Sequence, residues 1–167
     1  VNNEWAYEKM LKDFKFGNAN VKGVYFDEEN RRHLNNIRQA YADVAVSLSA
    51  AGQKEKAREI LGKVDKGMDP SNMPYGLVSR YNMHNQTSLM LLEASYRAED
   101  KAMADKISKA VRKDLTEQMA YYTALGDKRA ERMSFELQRT QMMLQMLDQM
   151  ETMFKQQNPE TGLEITN

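Results

Sequence analysis

Apolar residues recur at three- and four-residue steps along this chain, and this spacing is the feature that most restricts its fold. It is clearest in residues 28–51, where one side of the predicted helix carries Leu34, Ile37, Tyr41, Val44, Ala45 and Leu48. Such spacing puts these residues on one stripe of an α-helix. Only 8 Gly and 3 Pro occur among the 167 residues, so little interrupts the pattern. An all-α fold is predicted.

The same period predicts several further helices. They cover residues 3–15, 54–66, 86–98, 101–125 and 127–156. Asp27 is the predicted N-cap of the helix at 28–51, and Gly52 supplies the left-handed residue that ends it. Two antiparallel helical hairpins follow from these boundaries, at about 28–68 and about 86–125.

The chain is predicted to have three regions. Residues 1–27 form an N-terminal helix and loop, residues 28–157 form a helical-repeat domain, and residues 158–167 form a flexible tail. Residues 71–83 connect the two hairpins and are expected to include a turn of helix. Because the first residue is Val1 rather than Met, we expect a fragment excised from a longer protein.

Composition argues against several classes of function. Lys plus Arg number 24 and Asp plus Glu number 24, so there is no basic excess to bind nucleic acid. No run of about 20 apolar residues is present, so insertion into a membrane is not expected. The chain has no Cys, which excludes a disulfide framework and a thiolate metal site. His33 and His84 are not spaced as a metal pair, so no metal ligand is predicted.

The usual sequence signatures of an enzyme are also missing. The chain has no Gly-rich phosphate loop, no serine nucleophile elbow and no pair of carboxylates on a buried-looking face. We therefore predict no catalytic residue and no cofactor, and expect this chain not to be an enzyme.

The first hairpin resembles a tetratricopeptide repeat when Gly52 is placed at the turn of that repeat. The large, large, small and large positions of its first helix are then Tyr41, Val44, Ala45 and Leu48. The inward positions of its second helix are Ala57, Leu61 and Val64. A weaker second copy surrounds a turn at Glu99 and comprises Leu91, Leu92, Ser95, Ala104 and Val111. The resemblance implies a short right-handed α-solenoid of tetratricopeptide-like hairpins, capped by long C-terminal helices.

A second resemblance covers residues 3–126. The strings EWAYEKMLKDFKFGN, VYFDEENRRHLNNIRQAYADVAVSLSAAGQKEKAREIL and MAYYTALG look like the C-terminal tail of a bacterial family of multi-pass membrane proteins. That family, long described as of unknown function, resembles protein O-mannosyltransferases. Its membrane portion carries the catalytic residues, so the resemblance transfers none to this chain. It implies a tail on the extracytoplasmic, periplasmic side of a bacterial inner membrane.

Methionines and tyrosines are the candidate interaction residues. The last predicted helix carries Met on more than one face, which gives it more apolar surface than one packed side requires. These Met side chains either fill gaps in the core or form an adaptable binding or dimer surface, and both alternatives stay open. Tyrosines of the connection are expected at the surface. The candidate set is Tyr75, Tyr81, Met142, Met146, Met150 and Met153.

Three functions fit these observations. The first is a non-catalytic protein-interaction scaffold that forms the extracytoplasmic domain of a glycosyltransferase-like membrane protein. The second is a free-standing tetratricopeptide-like adaptor, which would be cytoplasmic. The third is an accessory domain that directly assists glycosyl transfer by the membrane portion. The expected partner is a protein, a peptide or the membrane portion of the parent protein, and a second copy of this chain is a further alternative.

Overall fold

The computed structural model describes residues 2–125 and 127–157, and within these ranges the chain has helices and loops but no strand. The helices are α1 (Asn3–Lys12), α2 (Glu28–Ala50), α3 (Lys54–Gly67), α4 (Met83–Arg97), α5 (Lys101–Ala124), α6 (Asp127–Arg132) and α7 (Ser134–Gln157). A 3-10 turn at Arg80–Asn82 supplies the turn of helix expected in the connection before α4. The prediction of an all-α fold is confirmed. The predicted tail at 158–167 lies outside the described residues.

The chain divides into two compact units. The first ends at Asp114 and the second begins at Leu115, so the division falls within α5. The predicted boundary after residue 27 does not coincide with this division, because α1 packs against α2 and α3 inside the first unit. None of the helices in the described ranges is both long and apolar enough to cross a membrane.

α2 is the central helix of the first unit. It packs against both α3 and α4, and α3 also touches α4. The stripe predicted from the sequence faces this core, and all its members are buried except Ile37, which is half-buried. Ala45 on α2 and Ala57 on α3 are fully buried, and such small side chains let neighbouring helix axes approach closely. Burial of each large apolar side chain in this core contributes about 1.5–3 kcal/mol.

Carboxylates begin two of these helices. Oδ1 of Asp27 accepts a hydrogen bond of 2.8 Å from the backbone N–H of Asn30, which confirms the predicted N-cap of α2. Oδ1 of Asp100 accepts from the backbone N–H of Met103 at 3.1 Å at the start of α5. Each carboxylate satisfies an N–H group that has no partner inside its helix.

The turn between α2 and α3 depends on Gly52, as predicted. Its φ is 75°, in the left-handed region that glycine adopts without steric cost. Its N–H donates to the Ser49 carbonyl at 3.0 Å, and the N–H of Gln53 donates to the Leu48 carbonyl at 2.9 Å. This pair of bonds is the Schellman arrangement, which satisfies the last carbonyls of α2.

The turn between α4 and α5 has the same hydrogen bonds around Glu99. Glu99 has a φ of 60°, and its N–H donates to the Tyr96 carbonyl at 3.0 Å. The N–H of Asp100 donates to the Ser95 carbonyl at 2.9 Å. The two turns are therefore equivalent, although only the first contains a glycine.

The second unit consists of the end of α5 together with α6 and α7. One continuous helix was expected over 127–156, but the chain turns at Met133 and divides it into α6 and α7. The interruption is short, because the Met133 N–H still donates to the Arg129 carbonyl and the Met133 carbonyl accepts from Leu137. Neither Gly nor Pro occurs at this point, so the sequence carries no signal for the break.

Candidate functional site

Arg38 lies at the centre of a buried polar network in the first unit. Its side chain is almost fully buried, and its guanidinium donates to the backbone carbonyls of Met73 and Pro74, the latter at 3.0 Å. The Arg38 guanidinium carbon also lies 4.6 Å from the centre of the Tyr75 ring, where a cation–π contact is favourable. Burial lowers the pKa of Arg38 to about 10, so the guanidinium stays charged at neutral pH.

His84 completes the contacts to the Pro74 carbonyl. Its Nε2 lies 2.7 Å from that oxygen, which can only accept a hydrogen bond, so Nε2 carries the proton. Burial lowers the pKa of His84 to about 4, and the nearby charge of Arg38 acts in the same direction. His84 is therefore a neutral hydrogen-bond donor at physiological pH.

Tyr75 is inside this network, and the expectation that it is a surface residue is wrong. Only 4% of Tyr75 is exposed. Its hydroxyl donates to Oδ1 of Asp65 at 2.6 Å, and the Lys106 ammonium reaches the same oxygen at 2.5 Å. Burial raises the pKa of the Tyr75 phenol, and the bond to Asp65 adds to this effect. The connecting loop packs against α2 and α4, where Arg38 and Ser88 bind its carbonyls, and this buries Tyr75.

Further polar contacts hold the rest of the loop. Asn85 donates to Oδ2 of Asp114 at 2.6 Å and accepts from the backbone N–H of Leu77 at 3.2 Å. Ser88 donates to the Tyr75 carbonyl at 2.6 Å. These bonds satisfy groups of the loop that would be costly to bury unpaired. The network is therefore a structural device that fixes residues 73–77 against α4.

Tyr81, the other predicted tyrosine, is half exposed at the 3-10 turn. The Arg80 guanidinium lies over its ring, 4.9 Å from the ring centre. Tyr81 and Asn82 have φ values of 54° and 55°, a left-handed conformation that non-glycine residues adopt at a cost of about 1–2 kcal/mol each. The surface position expected for Tyr81 is confirmed.

The candidate methionines lie on α7 in the second unit, and most are at the surface. Met142, Met146 and Met153 are 56%, 47% and 44% exposed, whereas Met150 is half-buried. Phe135, which is outside the predicted candidate set, is 77% exposed. At about 100° per residue these four exposed side chains lie within about 40° of one another around the helix. We call Phe135, Met142, Met146 and Met153 the α7 stripe.

A different face of α7 packs into the second unit. Thr140, Met143 and Leu147 are buried, and they lie about a third of a turn from the α7 stripe. Thr140 bonds to the Glu136 carbonyl at 2.8 Å and approaches Oε1 of Gln118 on α5 at 3.4 Å. The α7 stripe is therefore extra apolar surface, beyond what the core of this unit uses. The sequence carries a signal for this position, because Phe135 is seven residues before Met142 and therefore lies on the same face of a helix.

The histidines do not combine into a metal centre. His33 is exposed and lies 3.3 Å from a Glu29 oxygen, while His84 is buried in the network described above. Within the described ranges, no group of three or more His, Asp or Glu side chains is arranged to hold a metal ion.

Searches with protein-family models, curated proteins and solved structures find no match to this chain.

Proposed function

We propose that this chain is a non-catalytic protein-interaction domain that self-associates through the α7 stripe. The observation that carries the proposal is the position of Phe135, Met142, Met146 and Met153 on one exposed line of α7. The line is about 27 Å long at about 1.5 Å per residue. Exposed apolar surface of this kind is the usual mark of a contact site, and Met side chains adapt readily to a partner surface.

The occupant of the α7 stripe is a second copy of the same helix. The spacing along the stripe is symmetric. It is seven residues from Phe135 to Met142, four from there to Met146 and seven from there to Met153, so it reads the same in both directions. An antiparallel two-fold pair would therefore set Phe135 opposite Met153 of the second copy, and Met142 opposite Met146. Such a contact is isologous, which is the commonest form of a homodimer interface.

The charge around the α7 stripe favours the same arrangement. One flank of the stripe is neutral and exposed, formed by Gln138, Gln145, Gln149 and Thr152. On the other flank Arg139 is paired with Glu136 at 2.8 Å. Two copies can therefore approach without like charges facing each other at the centre, a repulsion that would otherwise oppose pairing.

We also propose that the α2–α3 hairpin and the α4–α5 hairpin are copies of one tetratricopeptide-like repeat. The support is the equivalent hydrogen bonding around Gly52 and Glu99. Buried Ala57 on α3 and buried Ala104 on α5 lie at the same distance in sequence after these two turns. Stacking of such repeats would give the short right-handed solenoid, a form that usually serves protein recognition.

The sequence resemblance supports a narrower proposal about context. By that resemblance, this chain is the extracytoplasmic C-terminal domain of a glycosyltransferase-like membrane protein. Pairing of α7 would then bring two membrane portions together, while the chemistry would stay with those portions. Reading the gene upstream of Val1 tests this, since a series of apolar spans is expected there.

The test of self-association is the molar mass of the whole chain by light scattering across a concentration series. The wild type should form a dimer, and Met142→Glu or Met146→Glu should raise the dimer dissociation constant by about a hundredfold or more. Each variant would bury two unpaired carboxylates in the interface, one from each copy. Gln141→Glu is the matched control, because it adds the same charge at a neighbouring exposed position outside the α7 stripe.

Circular dichroism of each variant checks that the helices remain folded. A wild-type chain that stays monomeric at every concentration would refute self-association. A dimer that survives both Met substitutions would refute the α7 stripe as its interface.

A further inference from the structure

A shallow groove crosses the first unit between the end of α1 and α3. It encloses about 600 Å³, and its apolar surface comes from Leu11 and Phe16. The Phe16 ring packs against Gly67, where a larger residue would collide with it. The groove follows α3 from Arg58 to Gly67, which is about 14 Å at about 1.5 Å per residue.

Gly62 lies on the floor of this groove and has no structural reason to be glycine. It is in the interior of α3 with no positive φ, and a Cβ added there would have nothing within 4 Å. Glycine inside a helix is unfavourable relative to alanine because it loses more backbone entropy on folding. Gly67 and Gly76, by contrast, are each required by a close neighbour, the Phe16 ring and the Ala110 carbonyl. Gly62 keeps space open that the fold itself does not fill.

The charged side chains of the groove are mainly cationic. Arg58, Lys63 and Lys66 line it together with one carboxylate, Glu59, which already accepts a hydrogen bond from the Tyr7 hydroxyl. Lys66 is exposed and has no hydrogen bond or ion pair within the described ranges. The cationic excess therefore faces solvent with its charge only partly compensated.

Two of these cations are held in place by hydrogen bonds to the protein and still have N–H groups that could bind a ligand. The Lys63 ammonium donates to the Met10 and Leu11 carbonyls at 2.6 Å and 2.7 Å, which leaves one of its three N–H groups free. Arg58 donates to the Ala98 carbonyl at 2.7 Å and to Glu55, and a guanidinium has five N–H donors. Both cations are thus already oriented before any ligand arrives, which lowers the entropic cost of binding.

We propose that this groove binds a short acidic peptide segment in an extended conformation, with one apolar side chain over Gly62 and carboxylates near Lys66 and Arg58. The groove is long enough for about four extended residues at about 3.3 Å each. Leu11 and Phe16 would contact the apolar side chain, and the cationic excess selects acidic sequences over basic ones. The site belongs to the first unit and is independent of pairing through α7, so either proposal can fail alone.

The test is fluorescence anisotropy of the whole chain with a short fluorescein-labelled peptide in which glutamate alternates with leucine. The wild type should bind it saturably, and binding should weaken as salt is added. Two control peptides replace either glutamate by lysine or leucine by serine, and both should bind at least about tenfold more weakly, a loss of about 1.4 kcal/mol or more. Equal binding of the serine peptide would overturn the proposal, because only charge would then be recognised.

Two variants test the groove itself. Gly62→Met fills the floor and should lower the peptide affinity at least about tenfold, while the melting temperature stays the same or rises. Lys66→Glu should lower the peptide affinity by a similar factor. If Gly62→Met does not fold, Lys66→Glu alone tests whether the groove binds the peptide. Lys109→Glu is its matched control, because it makes the same charge change at an exposed position on α5, outside the groove. The proposal is overturned if the wild type shows no saturable binding up to about 1 mM, or if Lys66→Glu and Lys109→Glu bind alike.

Discussion

Gly52 and Glu99 occupy the same position in the turns that end α2 and α4. Both are left-handed, with φ values of 75° and 60°, and both precede a residue whose N–H bonds to the carbonyl five positions back. A side chain in this conformation places its Cβ close to a carbonyl oxygen, whereas glycine has no such contact. The second turn therefore carries a steric cost that the first avoids.

This relationship predicts opposite effects of two substitutions. Gly52→Ala should lower the free energy of unfolding by about 1 kcal/mol, because alanine must adopt the left-handed conformation. Glu99→Gly should raise the melting temperature for the converse reason. Urea and thermal unfolding, followed by circular dichroism, measure both effects.

Glu99 also pairs with Lys54 at 2.5 Å on the surface, and Glu99→Gly removes that contact. Glu99→Ala is the appropriate control, since it removes the ion pair but keeps the left-handed side chain. A Glu99→Gly chain no more stable than Glu99→Ala would contradict the steric argument.

Arg38→Met should destabilise the first unit strongly. The substitution keeps an apolar stem of similar length but removes the donors to the Met73 and Pro74 carbonyls. The Pro74 carbonyl keeps the hydrogen bond from His84, whereas the Met73 carbonyl loses its donor. A buried carbonyl left without a donor costs about 1–3 kcal/mol, so a loss of about 2 kcal/mol is expected in urea unfolding. Arg32→Met is the control, because Arg32 is exposed and, among the described residues, pairs with Glu29 across one turn of α2. Equal stability of the two variants would mean that the network contributes little.

His84 should make the stability of this chain depend on pH. Its folded pKa of about 4 lies below the ordinary value of 6.5, so the unfolded chain binds a proton first as the pH falls. The stability from neutral His84 is thus complete above about pH 6.5 and is lost progressively down to about pH 4. Between about pH 7.5 and about pH 5 the unfolding free energy should fall by about 2 kcal/mol.

His84→Gln separates this effect from other titrations. His84→Gln should flatten the dependence above about pH 5, where carboxylates with ordinary unfolded pKa values near 4 contribute little. A wild-type slope that persists in His84→Gln would assign the effect to another group.

The positions of α2 and α3 and both ends of α2 could be predicted from the sequence because their causes are local. By contrast, α1 ends at Lys12 rather than at residue 15, and α4 begins at Met83 rather than at residue 86. The spacing of apolar residues places α2 and α3, the Asp27 carboxylate begins α2, and Gly52 ends it through its own backbone freedom. The break at Met133 could not be predicted, because no residue there carries a local stop signal. Of the candidate surface, the spacing of Met142, Met146 and Met153 was already visible in the sequence.

Only the tertiary structure decided where the connecting loop and its polar residues lie. Tyr75 has the same side chain whether it faces solvent or packs under Arg38, and its burial depends on helices far away in the sequence. The groove beside Gly62 has the same origin, since α1 and α3 are separated along the chain and meet only in the fold. The sequence by itself determined helical period, caps and turns, which act over a few residues. Burial and site formation depend on which distant surfaces come into contact, and no local pattern records that.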